Sequence, residues 1–208
     1  MDILTSSAFL GQLHTLLRKE SPLENGSYSR MVLQEETLDK LEVQHCTFSS
    51  CTFSGCSLAG ASFTDVQFQN CDLSNSLLTD AYFARCRFIS CRCIGTNLNG
   101  SVMRRCTIEQ STFQYADFDH TKMTDTVLTD TDFTEAAISE AKCKRLSLHG
   151  CRFVKNYFFK TPLAGIDFST GTFCSPVVSW PPTELKGATV SLTQAAALAG
   201  LLGVKVNL

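Results

Sequence analysis

Residues 46–75 read CTFSS CTFSG CSLAG ASFTD VQFQN CDLSN, and the third letter of every five is Phe or Leu. Working outward from this stretch, every fifth residue from Val43 to Phe173 is apolar, with no skipped or inserted position. These 27 positions hold 13 of the chain's 15 Phe residues. A helix repeats its buried face every 3.6 residues and a flat strand every 2, so neither can keep a period of five on one side. The residue two before the centre is mostly Cys, Ala, Ser or Thr: Cys46, Cys51, Cys56, Ala61, Cys71, Ser76, Ala81, Cys86 and Cys91. Large and small inward positions therefore alternate.

Units such as Cys-Ser-Leu-Ala-Gly (56–60), Cys-Asp-Leu-Ser-Asn (71–75), Ala-Asp-Phe-Asp-His (116–120) and Thr-Asp-Phe-Thr-Glu (131–135) resemble the pentapeptide-repeat family. The resemblance implies an all-β solenoid, a right-handed quadrilateral β-helix in which four units make one coil of 20 residues. Residues 20 apart then stack in columns, and the columns are apolar: Phe48, Phe68, Phe88, Ile108, Leu128, Leu148 and Phe168 form one of them. At a strand-like spacing of about 4.8 Å per coil the repeats make about seven coils and a rod roughly 32 Å long. Its own side chains fill the interior, which leaves no room for a small substrate.

The expected organisation is an N-terminal helical cap or leader over 1–30, the β-helix over 31–190 with a loop at 174–182, and a capping and dimerisation tail over 191–208. Phe9, Leu10, Leu13, Leu16 and Leu17 share one face of a helix between Ser6 and Lys19. Gln12 and His14 interrupt it, and no small-residue cleavage site follows, so the segment reads as a cap rather than a secretory signal. Beyond Phe173 the frame breaks at Cys174 to Pro182, where Pro176, Pro181 and Pro182 oppose ladder hydrogen bonds, and Leu185 and Val190 resume it displaced by two. Trp180 is expected to pack on the rod. Ser191 and Gln194 form a capping box, Ala195 to Leu202 a helix that stops at Gly203, and Val204 to Leu208 alternates as a short strand.

The 18% charged residues and a formal charge of −2 describe a chain without the excess of basic residues that a nucleic-acid binder carries, so no direct nucleic-acid binding is expected. No apolar run is long enough to span a membrane. Ten of the eleven cysteines stand on inward positions as small hydrophobes, which fits a reducing, cytoplasmic setting better than a disulfide framework. Cys174 lies outside the frame and is the thiol expected to react. A zinc site at Cys46, Cys51 and Cys56 beside His45 is disfavoured because the spacing sends successive sulfurs to successive faces. No cofactor is expected. His14, His45, His120 and His149 have no catalytic partner in sequence, and no P-loop, H-E-x-x-H, G-x-S-x-G or C-x-x-C occurs, so the protein is not read as an enzyme.

The tail pattern formed by Leu185, Gly187, Val190, Gln194, Ala195, Leu198, Leu202, Gly203, Val204 and Val206 is similar to the C-terminal dimerisation module of the Qnr-type quinolone-resistance and albicidin-resistance subgroup. That resemblance implies a homodimer through Ala195, Leu198, Leu201, Leu202, Val204 and Val206. It also implies a rod that mimics DNA and binds a type II topoisomerase, DNA gyrase or topoisomerase IV, protecting or modulating it. A mimic places carboxylates where phosphates would be, and Asp117, Asp119, Asp125, Asp130, Asp132, Glu135 and Glu140 are the candidates. The column Asp65, Arg85, Arg105, Asp125, Arg145 offers a different use of charge, an ion-pair ladder between coils that needs no partner. A scaffold or bacterial effector unrelated to topoisomerases is the alternative reading.

Overall fold

The computed structural model describes residues 5–207. Its strands pair in parallel at a constant offset of 20: Val43 with Phe63, Phe63 with Phe83 and Phe83 with Met103 on one side, and Phe48 with Phe68 and Phe68 with Phe88 on the next. Single bridges such as Thr52 to Asp72 and Ser57 to Leu77 complete the third and fourth sides. The result is a four-sided β-solenoid of about eight turns, whose sides are named here by their centres as the Val43, Phe48, Phe53 and Leu58 faces.

A five-residue period needs a bend at every unit, and the backbone supplies it two residues after each centre. Those corner residues, among them Asn70, Asn75, Asp80, Arg85, Arg105, Asp125 and Asp130, are left-handed, with φ between 46° and 58°. Glycine takes the corner at Gly55, Gly60, Gly95 and Gly100, where positive φ is free of steric cost. Asn and Asp tolerate the region next best, so the Gly, Asn and Asp at this position were the sequence signal for the corner.

Inside, the centres stack as ring columns. Phe48, Phe68 and Phe88 lie 5.3 and 5.0 Å apart, and Phe113, Phe133 and Phe153 lie 5.7 and 5.0 Å apart, in both cases near parallel. Where Ile108, Leu128, Leu148, Met123 and Cys143 replace rings, a dry void of only about 20 Å³ remains. The small inward residues do more than make space. The thiols of Cys71, Cys86, Cys91 and Cys106 donate to the centre carbonyls Phe48 O, Phe63 O, Phe68 O and Phe83 O of the coil before, at 3.3–3.5 Å. Ser76, Thr96 and Thr161 hydroxyls do the same at shorter range. Where the small residue is Cys, Ser or Thr it adds a hydrogen bond between coils, while Ala61, Ala81, Ala116, Ala136 and Ala141 only make space.

The first coil starts at Leu23 rather than at residue 31: residues 23–24 pair with 43–44, and 27–29 with 47–49. Leu23, Tyr28, Leu33 and Leu38 keep the five-residue frame, but the residues two before the last two are Met31 and Glu36, which hides the repeat in sequence. Helix α1, Ser6–Arg18, lies over this coil with Phe9 and Leu13 buried and the Phe9 ring 4.5 Å from Tyr28. The Thr5 side chain accepts from Ala8 N–H at its N-terminus.

At the other end the frame runs on through Phe173 to Val178, since Val177 bridges Tyr157. The two-residue insertion is confined to about residues 179–183, because Leu163 N–H donates to Glu184 O where an unbroken frame would present residue 182. The expected loop at 174–182 is therefore coil over most of its length. Trp180 does not pack on the rod as expected; it is 75% exposed. The insertion is held by Glu184, which is 4% exposed and accepts from the backbone N–H of Lys160 and Ser179 and from the Ser179 hydroxyl. Burial raises its pKa, but these hydrogen bonds outweigh it and the net shift is downward from 4.5. The unfolded chain then binds the proton more readily, so this contribution is present above about pH 4.5 and is lost as pH falls through the lower folded value. Glu184→Ala is expected to cost about 1.5–3 kcal/mol at pH 7 and progressively less as the pH falls below 4.5, as urea titrations over a series of pH values would measure.

Helix α2, Leu192–Ala199, closes the last coil. Its capping box is formed, with the Ser191 hydroxyl accepting from Gln194 N–H and the Gln194 side chain accepting from Ser191 N–H. Gln194 Nε2 also donates to the carbonyls of Phe168 and Gly171, both at 3.0 Å, fastening the helix to the coil. A short 3₁₀ turn ends at Gly203, which is left-handed at φ 74°. The strand expected over 204–208 is not formed among the described residues, and Leu208 lies outside them. Alternation alone cannot make a strand without a ladder partner, and α2 already occupies the end of the coil.

Candidate functional site

With the interior filled, the chemistry of the molecule lies on its four faces, and the structure separates the seven candidate acids among them. Asp117, Asp119 and Glu140 stand on the Leu58 face, Asp125 at the corner of the Val43 face, Asp130 at the corner of the Phe48 face, and Asp132 and Glu135 on the Phe53 face. They form a belt around the rod and not a single stripe.

Several of these carboxylates already have work inside the coil. Asp117 accepts from Asp119 N–H at 2.8 Å, and Asp119 accepts from Ser139 N–H at 2.6 Å. Asp132 accepts from Thr134 N–H and Gln114 Nε2, each at 2.8 Å. The contacts of Asp117 and Asp132 to the N–H two residues on are side-chain turns of a kind that Asp72, Asn97 and Asp167 also make. Asp125 accepts from both Nε and Nη2 of Arg145, the latter at 2.8 Å, and Arg145 lowers its pKa below the usual carboxylate range. Lys160 Nζ reaches Glu140 at 2.8 Å with the same effect, and His120 stands 3.6 Å from the other oxygen. The expected ladder forms in part: Asp65 pairs with Arg85 and Asp125 with Arg145, while Arg105 makes no ion pair among the described residues. Exposed pairs of this kind add little stability each.

Asp117 and Asp119 differ from the rest in their surroundings. The column of Asp117 runs Ser57, Leu77, Asn97, Asp117, Ala137, Tyr157, Val177, and that of Asp119 runs Ala59, Thr79, Asn99, Asp119, Ser139, Phe159, Ser179. Neither column holds a Lys or Arg. With Asp80 and Glu140 at the adjoining corner, this face is flat, anionic over its middle coils and apolar towards the C-terminal end, where Tyr157 and Phe159 are exposed. Asp80, Tyr157 and Phe159 were missed in sequence because only the 20-residue stacking brings them onto the face of Asp117.

Eleven free thiols are present. Burial pushes Cys143 up to about 11 and Cys93 well above its ordinary range, so both stay protonated at neutral pH. Cys174 is half-buried beside the Ser175 hydroxyl. Among the described residues no three His, Cys, Asp or Glu side chains converge as metal ligands, and Cys46 and Cys51 point into the coil as donors to backbone carbonyls. No described helix is long and apolar enough to cross a membrane. On the tail, Ala195, Leu202, Val204 and Val206 are exposed, while Leu198 and Leu201 are half-buried, Leu198 against the rod's core.

Residues 61–142 match the family described as pentapeptide repeat region, over the same coils whose 20-residue register is set out above. This part of the chain is a pentapeptide repeat region. The pentapeptide-repeat rod is also similar to two solved structures of trypsin-treated variants of QnrB1, a plasmid-mediated fluoroquinolone resistance protein. One superposes with a TM-score of 0.60 at 22% identity, covering 88% of this chain and 99% of the other. The second has a TM-score of 0.55 at 17% identity, covering 89% and 99%. At such identities the likeness is one of fold. No curated protein matches the chain.

Proposed function

We propose that the protein is a non-enzymatic binding rod that docks through its Leu58 face onto the DNA-binding surface of a bacterial type II topoisomerase, gyrase or topoisomerase IV. There it modulates the enzyme or shields it from quinolone- or toxin-type inhibitors, in the cytoplasm. The observation that carries the reading is the pair Asp117 and Asp119, with Asp80 on the same face and no cation in either of their columns, while Glu140 beside them is paired with Lys160. A surface built to hold a polyanion is basic, and a flat anionic face of fixed geometry complements it without the entropy cost of ordering a flexible segment. The fold is shared with QnrB1, a plasmid-mediated fluoroquinolone resistance protein. Titrating the purified protein into a gyrase supercoiling reaction, with and without a fluoroquinolone, tests it. Inhibition or drug rescue at micromolar protein is expected, and no effect under either condition would sink the reading.

The rod is proposed to act as a homodimer through the exposed apolar residues Leu192, Leu202, Val204 and Val206 at its C-terminal end, of which Leu192 is 83% exposed. A two-fold contact buries the same patch of both copies and gives residues 204–206 the strand partner that one chain lacks. Leu198 faces the rod, so the substitution that separates the two copies is Leu202→Asp/Val204→Asp. Light scattering should report a dimer for the wild type and a folded monomer for the variant; a variant that remains dimeric would remove the C-terminal assignment. A scaffold for some other protein partner is favoured by one observation: four of the seven candidate acids lie off the Leu58 face.

A further inference from the structure

The net charge of −2 conceals a segregation. On the Val43 face, between the coil of Tyr82 and that of Arg145, stand Arg85, Arg105 and Arg145 at the corner, Arg104 and Lys144 beside them, and Lys122 and Lys142 across the strand. That is seven of the chain's 18 Lys and Arg against one carboxylate, Asp125. Arg85 and Arg145 are neutralised by Asp65 and Asp125. Arg104, Arg105, Lys122, Lys142 and Lys144 make no ion pair among the described residues, and all five are exposed. An open depression of about 440 Å³ lies among Tyr82, Arg85, Arg104, Arg105, Asp125 and Lys144. The Arg104 guanidinium is 5.9 Å from the centre of the Tyr82 ring.

We infer that this face binds the phosphodiester backbone of duplex nucleic acid. Like charges held on a rigid strand repel one another unless an anion of matching density covers them. The three coil spacings from Arg85 to Arg145 span about 14 Å. A duplex carries one charge per ~1.7 Å of axis and offers about eight over that length. An extended peptide rises ~3.3 Å per residue and offers about four even if every residue is acidic. Four of the seven cations are arginines, whose planar forks match phosphate oxygens. Binding is independent of base sequence, because the face is flat and presents no element that enters a groove. It also departs from the expectation drawn from net charge, which averages the anionic Leu58 face with this basic one.

The test is fluorescence anisotropy of a labelled 20-base-pair duplex at 50 and 200 mM salt, run beside two triple variants of equal net charge. Arg104→Glu/Arg105→Glu/Lys144→Glu reverses the face; Arg30→Glu/Lys155→Glu/Lys186→Glu changes exposed cations elsewhere. Wild type is expected to bind at micromolar concentration in 50 mM salt, with a log–log salt slope of about −4.5 for some five neutralised phosphates. The first variant should weaken binding at least tenfold and the second should not, both retaining the circular dichroism of the wild type. No binding at about 100 µM, equal loss in both variants, or tighter binding to polyglutamate than to the duplex would each overturn the inference. The experiment contains no topoisomerase, so its failure leaves the proposed function standing and the reverse also holds.

Discussion

Phe133→Ala is expected to lower the free energy of unfolding by about 3–5 kcal/mol, at the upper end of single core substitutions. Phe133 is buried, stacks 5.7 Å from Phe113 and 5.0 Å from Phe153, and meets Phe118 at 5.8 Å. In many cores the neighbours of a truncated side chain shift to fill the gap, which limits the cost. Here they are pinned. Phe133 N–H donates to Arg152 O at 2.8 Å and Phe113 N–H to Asp132 O at 2.7 Å, so no coil can close on its neighbour without breaking its ladder. Phe133 also lines the void of about 20 Å³, and losing the ring merges the new space with the old. Chemical denaturation of wild type and variant measures the difference. A loss under about 1 kcal/mol would show that the interior is not close-packed.

The period of five and its apolar centres were enough to identify the coil, because each coil repeats the same physical problem and the sequence must solve it the same way each time. The parts that stayed hidden depend on relations the period does not encode. The first coil was missed because Met31 and Glu36 stand where small donors stand elsewhere, next to a helix that covers that end. The left-handed corners were not read from the sequence; Gly55, Gly60, Asn70 and Asn75 carry a signal for them, yet Arg85, Arg105 and Arg145 occupy the same conformation, so residue type alone understates the rule. The role of Cys71 and Cys86 as donors to backbone carbonyls required knowing which carbonyl lies 23 residues back.

The surface was less legible than the core. Seven acids close in sequence look like one patch, but a 20-residue coil turns them through all four faces, and no more than three, Asp117, Asp119 and Glu140, share one. The same winding gathers cations from residues 85, 104, 122 and 142 onto one face although they are separated in sequence. At the tail, the apolar pattern of Ala195 to Val206 did not say which residues face the rod: Leu198 does, and Leu202 does not.

The second large effect is on the proposed target. Asp117→Lys/Asp119→Lys/Glu140→Lys puts three cations on the face that meets a basic surface, and like charges in contact cost several kcal/mol. At 1.4 kcal/mol per tenfold, the protein needed for a given effect should rise at least about 100-fold. The substitutions also remove the backbone hydrogen bonds of Asp117 and Asp119 and the Glu140 ion pair, but leave the buried centres and the ladder in place, so an unchanged circular dichroism spectrum is the control. Gyrase supercoiling, titrated with wild type and this variant in the presence and absence of a fluoroquinolone, is the most direct measurement. The account predicts inhibition or drug rescue by wild type at micromolar concentration and its loss in the variant; equal potency of the two, or no effect of wild type, would contradict it.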